Sequence, residues 1–196
     1  MEDLRKIKSK ELLKDAFWRV LASKKYAQIF IKDIVDEAGI NRKTFTAHYD
    51  SVDALMRESV EELIQKLLLH FDPEHKNRIT DFSYATYEYT RFALDNREQL
   101  QLVFSNQLDS IALHVWKKFL IAGDTDTSEN ALRNDLYINY SMYCCWGNLL
   151  WVLEHADLPL NTLVNEALDV YQTFACNQVA LYKMPEYGAY TKASDH

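Results

Sequence analysis

Residues 31–49 constrain the fold of this chain more than any other stretch, because they specify two short helices and the tight turn between them. Gly39 stands where the end of a helix needs a residue that accepts a positive φ angle. Ile40 is the apolar residue of the turn, and Asn41 is a favourable N-cap for a second helix. The spacing therefore predicts a helix-turn-helix. Its first helix has one apolar face, formed by Ile34, Val35 and Ala38.

The second helix of this pair begins with two cations and a hydroxyl, Arg42, Lys43 and Thr44. Helix-turn-helix proteins present the N-terminal residues of this helix to base edges and phosphates. Arg42 is the best candidate for bidentate recognition of guanine, and neutralising a phosphate is the alternative role. Phe45 and Tyr49, four residues apart, are expected to anchor the inner face of the helix to the domain. The segment predicts binding to double-stranded DNA.

These residues also carry a resemblance to a known family. Residues 9–55 resemble the N-terminal domain of the tetracycline-repressor (TetR/AcrR) family of bacterial transcription regulators, and most closely the subset with the signature INR-x-TF-x-x-H-[FY]. The resemblance covers about a quarter of the chain at motif level. The remainder of the chain agrees with this family only in its length and helical character. The matching residues are Ile40, Asn41, Arg42, Thr44, Phe45, His48, Tyr49 and, in the following helix, Leu55.

The resemblance implies an all-α protein with two domains. Residues 1–50 would form a three-helix DNA-binding domain, and residues 51–196 a helical regulatory and dimerisation domain. The last two long helices, at about 132–155 and 161–183, would build the homodimer interface. The implied function is a ligand-responsive repressor that binds a palindromic operator as a dimer.

Two groups of candidate site residues follow from the motif and the resemblance. The body of this family often holds a small-molecule effector, and aromatic side chains are expected to line that cavity, although aromatics at helical spacing also form plain cores. The expected DNA-binding residues are Lys32, Arg42, Lys43, Thr44, Thr46, His48 and Tyr49. The expected effector-binding residues are Tyr84, Tyr87, Phe104, Trp116, Tyr143 and Trp146.

The chain departs from the family at three positions that usually bind phosphates. Phe30 replaces a hydroxyl residue, Thr46 replaces a tyrosine, and Val52 replaces a lysine, while Asp50 and Asp53 add negative charge nearby. Each phosphate contact adds to the affinity and to its salt dependence. We expect other cations to compensate. The alternative is a partner-dependent regulator whose DNA binding is weakened or lost. The compensating cations would be Lys24, Lys25 and Lys32.

Composition agrees with a small DNA-binding domain on a larger acidic body. Residues 1–50 carry 11 Lys and Arg against 8 Asp and Glu, a net charge of +3, whereas residues 51–196 carry 11 against 21, a net charge of −10.

Only 4 glycines and 3 prolines occur, which favours long helices with short connections. Besides the helix-turn-helix, helices are expected at about 5–23, 51–70, 79–94, 96–105, 108–121, 132–155 and 161–183, with a loop at 123–128.

Other classes of protein find little support in the sequence. The glycines are too dispersed for a phosphate-binding loop, and His70 and His75 are poorly spaced as metal ligands, so we expect no enzyme, metal or cofactor. Neither a signal peptide nor an apolar run of transmembrane length is apparent. An odd number of cysteines in apolar surroundings predicts buried, reduced thiols, and with them a cytoplasmic protein.

Overall fold

A computed structural model describes residues 4–69, 82–123 and 131–182, and every regular element within these ranges is helical. The all-α prediction is therefore confirmed. A short 3₁₀ turn, Tyr26–Gln28, which the sequence did not predict, joins the first two α-helices. The α-helices are α1 Leu4–Ser23, α2 Ile31–Ala38, α3 Arg42–Thr46, α4 Val52–Leu69, α5 Phe82–Asp95, α6 Arg97–Ser105, α7 Asp109–Gly123, α8 Ala131–Glu154 and α9 Leu160–Tyr182.

The helix boundaries agree with the sequence pattern to within one or two residues wherever both ends are described. Ser51 caps α4, since its Oγ accepts a hydrogen bond from the N–H of Ala54 at 3.1 Å. The expected start of α5 at Ile79, most of the loop at 123–128, and both His70 and His75 lie outside the described residues.

The N-terminal helices close around one apolar centre. Leu13 and Phe17 of α1, Ile34 of α2 and Phe45 of α3 are all fully buried. The rings of Phe45 and Tyr49 lie 5.9 Å apart, centroid to centroid. The predicted anchoring of the second helix-turn-helix helix by these two aromatics is confirmed, and the opposite face of α3 remains on the surface.

Helix α4 connects this centre to the rest of the molecule. It packs against α1 and also against α7, and its apolar stripe of Leu55, Ile64 and Leu67 is fully buried. Beyond it, α5 packs against both α8 and α9, and α7 packs against α8. The buried side chains form one continuous cluster from α1 to α9. Among the described helices, none combines the length and apolarity needed to cross a bilayer.

Polar contacts reinforce these junctions. Lys14 of α1 lies between two carboxylates of α4, 3.0 Å from Glu58 and also paired with Glu62. The N–H of Tyr26 donates to Asn106 Oδ1 at 2.9 Å, just after α6, and the Tyr26 hydroxyl donates to Asp53 at the start of α4. The 3₁₀ turn is thereby tied both to α4 and to the turn after α6.

Candidate nucleic-acid interface

The turn between α2 and α3 has the hydrogen bonding of a Schellman motif. Gly39 adopts a left-handed conformation, with φ 66°. Its N–H donates to Asp36 O at 3.3 Å, and the N–H of Ile40 donates to Val35 O at 3.1 Å. These two bonds satisfy carbonyls that the end of the helix leaves unpaired. The predicted role of Gly39 is confirmed, and the turn fixes the direction in which α3 departs.

Asn41 caps α3 as predicted. Its backbone is extended, with φ −88° and ψ 159°, and its Oδ1 accepts the N–H of Thr44 at 2.9 Å. The Thr44 hydroxyl donates to the same oxygen at 3.2 Å. Because α3 has only five residues, this cap satisfies a large share of its free amide groups. It holds the first turn of the helix, and Arg42 with it, in a defined position.

The first turn of α3 presents its cations to solvent. Arg42 and Lys43 are exposed, Thr44 is half-buried, and Lys32 at the start of α2 is exposed. Thr46 is exposed as well, but its hydroxyl donates back to Lys43 O at 3.2 Å. An outward-facing helical turn with two adjacent cations is suited to base edges and phosphates in a DNA groove.

His48 follows α3 and is bonded to α1. Its Nε2 lies 2.7 Å from Ser9 Oγ. The hydroxyl of Ser9 donates a hydrogen bond to Lys6 O at 3.0 Å. A carbonyl oxygen only accepts and a hydroxyl has one proton, so Ser9 accepts the hydrogen bond from Nε2–H of His48. This arrangement fixes the imidazole orientation and ties the end of α3 to α1.

Tyr49, which we expected at the DNA surface, lies in the core instead. Only 4% of it is exposed, and its hydroxyl has no hydrogen-bond partner among the described residues. Burial, followed by the negative charge of Glu58, raises the pKa of Tyr49 well above the usual value for tyrosine. The Nζ of Lys10 lies 5.8 Å from the ring centroid. In this position Tyr49 packs the domain and offers no surface to DNA.

An open groove of about 420 Å³ runs between α1 and α3. Sequence reasoning missed the α1 side of this groove, because the motif begins later in the chain. The cationic residues in the first turn of α1 were the available signal. The groove is lined on one side by Arg5, Lys6 and Ser9, and on the other by Asn41, Lys43, Thr44, Ala47 and His48.

Phe30 stands where the resemblance described above implies a phosphate-binding hydroxyl, and its side chain is apolar. Phe30 is the N-cap of α2 and is 68% exposed. In place of a side-chain cap, the carboxylate of Asp33 accepts the N–H of Phe30 at 2.9 Å. The same carboxylate accepts a hydrogen bond from Lys24 Nζ at 2.6 Å. The bond from Lys24, followed by that from Phe30, lowers the pKa of Asp33. Lys24, one of the predicted compensating cations, is therefore engaged with Asp33.

The predicted effector-binding aromatics are only partly brought together. The rings of Phe104 and Trp146 lie 4.9 Å apart, and those of Trp116 and Trp146 lie 6.3 Å apart at nearly right angles. The sequence did not single out Tyr89, whose ring lies 5.8 Å from that of Trp116 and whose hydroxyl donates to Cys145 O. Of the remaining predicted residues, Tyr84 and Tyr143 are exposed and Tyr87 is half-buried.

Of the three cysteines, Cys144 and Cys145 have described side chains, and these two differ from one another, while the side chain of Cys176 lies outside the described part of the chain. Cys145 is partly buried, and burial followed by its neighbour Cys144 raises the pKa of its thiol to about 11, so it is protonated at neutral pH. Cys144 is exposed, so the prediction of a buried thiol was wrong for this residue. Adjacent positions on a helix point in different directions, which explains the difference.

Comparison with known proteins finds the same fold in solved structures. One is described as the dihydroxyacetone kinase operon activator DhaS, with 17% sequence identity, a TM-score of 0.53, and coverage of 85% of this chain and 96% of the other. Another comes from Pseudomonas aeruginosa PAO1 and is described as a candidate transcriptional regulator, with 14% identity, a TM-score of 0.60, and coverage of 84% and 89%. No protein-family model and no curated protein sequence matches the chain. At these identities, the similarity establishes a shared helical fold.

Proposed function

We propose that this protein is a DNA-binding transcriptional regulator in which α3 is the recognition helix. The observation that carries the proposal is the exposed first turn of α3, where Asn41 caps the helix and Arg42 and Lys43 face solvent. Residues 1–50 would be the DNA-binding domain and residues 51–196 the regulatory domain. The two solved structures with the same fold, described as an operon activator and as a candidate transcriptional regulator, support this function.

The regulator would act as a homodimer through α8 and α9. Four exposed apolar side chains of α8 follow one another at spacings of four, three and seven residues, which places them on one face of the helix. Exposed apolar stripes of this kind mark association surfaces. On α9, Val170 and Tyr171 are 61% and 50% exposed. The residues of the α8 stripe are Leu136, Tyr140, Tyr143 and Leu150.

In such a dimer, two copies of α3 would enter successive major grooves of a palindromic operator, about 34 Å apart. We propose repression as the outcome, through occupancy of the operator. A small molecule bound among the aromatics of the body, which centre on Trp116 and Trp146, would release the DNA. That release requires the effector to bind the DNA-free conformation more tightly, since equal affinity for both states shifts nothing.

The proposal is tested by fluorescence anisotropy on the DNA upstream of the protein's own gene and on an unrelated duplex, across a salt series. The expected result is tighter binding to the upstream DNA, with an affinity that falls steeply as salt rises. Equal, weak binding to both duplexes at low salt would contradict the proposed function. A promoter–reporter assay with and without the protein then separates repression from activation.

A substitution that keeps the charge sharpens this test. Arg42→Lys retains the positive charge but loses the planar fork that pairs with guanine. If Arg42 recognises a base, the variant keeps the salt slope and loses about 1–3 kcal/mol of discrimination between the two duplexes. If Arg42 only neutralises a phosphate, the variant binds both duplexes with the same affinities as the unsubstituted protein.

A second candidate function is a partner-dependent regulator that binds DNA weakly by itself. The observation that favours it is Phe30, an aromatic side chain 68% exposed at a position where the family resemblance leads us to expect a phosphate contact. In this case the isolated protein would bind both duplexes equally weakly at low salt and yet remain a dimer in sedimentation. Phe30→Ser would then leave the DNA affinity unchanged.

A further inference from the structure

The cations of the N-terminal domain divide into those already paired with carboxylates and those that are not. Within the described residues 4–69, several lysines and arginines on α1 and in the following turn form ion pairs, which leaves them less charge to offer a phosphate. These pairs join Lys10 to Glu58 at 2.8 Å, Lys14 to Glu58 and Glu62, Arg19 to Glu37 at 2.5 Å, and Lys24 to Asp33 at 2.6 Å.

The groove between α1 and α3 has the opposite character. Lys6 contributes to one wall and Lys43 to the other, and neither forms an ion pair with a carboxylate among the described residues. No acidic residue belongs to the lining described for this groove. Lys6 and Lys43, two of the three cations that line the groove, therefore create a local positive potential, which attracts an anion.

A hydrogen bond joins the two walls of the groove, and further polar groups line it. Ser9 of α1 and His48 after α3 are bonded at 2.7 Å, which joins the two walls of the groove. Asn41 and Thr44 contribute further polar groups to the α3 wall. A concave surface with cations on both walls matches a sugar-phosphate backbone, which carries one negative charge per phosphate along an extended strand.

The positions from which phosphate contacts were expected are unsuited to that task. Phe30 is apolar, Thr46 donates its hydroxyl to Lys43 O, and Val52 at the start of α4 is followed by the carboxylate of Asp53. None of these three positions offers a cation to a DNA strand.

Resting on the proposed function, we propose that the groove between α1 and α3 holds the DNA backbone beside the recognition helix. Lys6 and Lys43 contact phosphates from opposite walls, while Ser9 orients His48 at the junction. The first turns of α1 thereby supply phosphate contacts that Phe30 and Val52 do not offer. Lys6 is an exposed side chain on the first helical turn, outside the sequence motif.

The test is the salt dependence of DNA affinity for single lysine variants. The slope of log K against log salt is about −0.9 per neutralised phosphate on duplex DNA. Lys6→Ala and Lys43→Ala are each expected to make the slope shallower by about 0.9, and the double variant by about 1.8. Lys8→Ala is the matched control, because Lys8 is also exposed on α1 but does not line the groove, and its slope should equal that of the unsubstituted protein.

Thermal unfolding of each variant shows whether the fold is retained, and substitution of these exposed lysines should leave the midpoint unchanged. If the unsubstituted protein binds with a steep slope but Lys6→Ala behaves like Lys8→Ala, the groove does not hold the backbone and the proposed function stands. If the unsubstituted protein shows no salt-dependent binding, both proposals fail.

Discussion

Replacing Gly39 by alanine tests the backbone conformation of the helix-turn-helix, because the substitution changes little else in the folded state. A Cβ atom built on Gly39 meets nothing within 4 Å, so alanine causes no clash. The hydrogen bonds that the N–H groups of Gly39 and Ile40 form are retained, because alanine keeps its backbone N–H. The remaining consequence in the folded state is the φ angle of 66°, which L-residues rarely adopt.

The expected net effect is a loss of about 1 kcal/mol in the free energy of unfolding. A left-handed conformation costs an L-residue about 1–2 kcal/mol. Against this, alanine lowers the entropy of the unfolded chain, which stabilises the folded state by about 0.4–1 kcal/mol. For a chain of this size, the difference corresponds to a fall of about 2–4 °C in the unfolding midpoint.

Urea unfolding measures this difference, and Gly39→Asn is the matched control. Asparagine also carries a Cβ but tolerates the left-handed region, so it should lose less stability than alanine. Because Gly39 sets the direction of α3, Gly39→Ala should also weaken the proposed DNA binding. If Gly39→Ala were more stable than the unsubstituted protein, the left-handed turn, and with it the placement of α3, would be refuted.

Three further predictions concern the cap, the junction between α1 and α4, and the dimer. Asn41→Ala should destabilise the fold by about 1 kcal/mol in urea unfolding, whereas Asn41→Ser should largely preserve it. Burial opposes ionisation of Glu58, but hydrogen bonds from Lys10 and Lys14 prevail and lower its pKa. A carboxyl group whose pKa is lower in the folded than in the unfolded protein stabilises the fold at pH values above its unfolded pKa of about 4.3. This stabilisation disappears as the pH falls through the folded pKa. Glu58→Gln should therefore show a smaller decrease in urea midpoint between pH 6 and pH 3 than the unsubstituted protein. Tyr143→Asp should convert the proposed dimer to a monomer in sedimentation velocity, whereas Lys118→Asp, on exposed α7 surface, should leave it a dimer.

The sequence was most informative where local geometry alone determines the structure. Gly39 and Asn41 could be assigned because a left-handed turn and a helix cap depend on a few neighbouring residues. The contact between Ser9 and His48 joins positions 39 residues apart, and no local pattern specifies such a pair. The same holds for the ring contact of Tyr89 with Trp116.

Tyr49 shows why a motif match leaves the role of a residue open. The same spacing that places it four residues after Phe45 suits both an aromatic anchor in the core and a surface contact. Which face the ring occupies depends on how α1 and α4 pack over it. The surrounding core leaves only 4% of Tyr49 exposed.

The packing of α4 links the proposed DNA-binding residues to the body of the molecule. Helix α4 packs against α1, which forms a wall of the groove, and also against α7, which carries Trp116. Tyr26 adds a second connection, since its N–H and hydroxyl bond to Asn106 and Asp53. A close-packed core transmits a displacement instead of absorbing it. An effector that moved α7 would therefore reorient α1 together with α3. Because the groove takes one wall from each of these two helices, such a movement would change its alignment with the DNA backbone even if α3 kept its internal geometry.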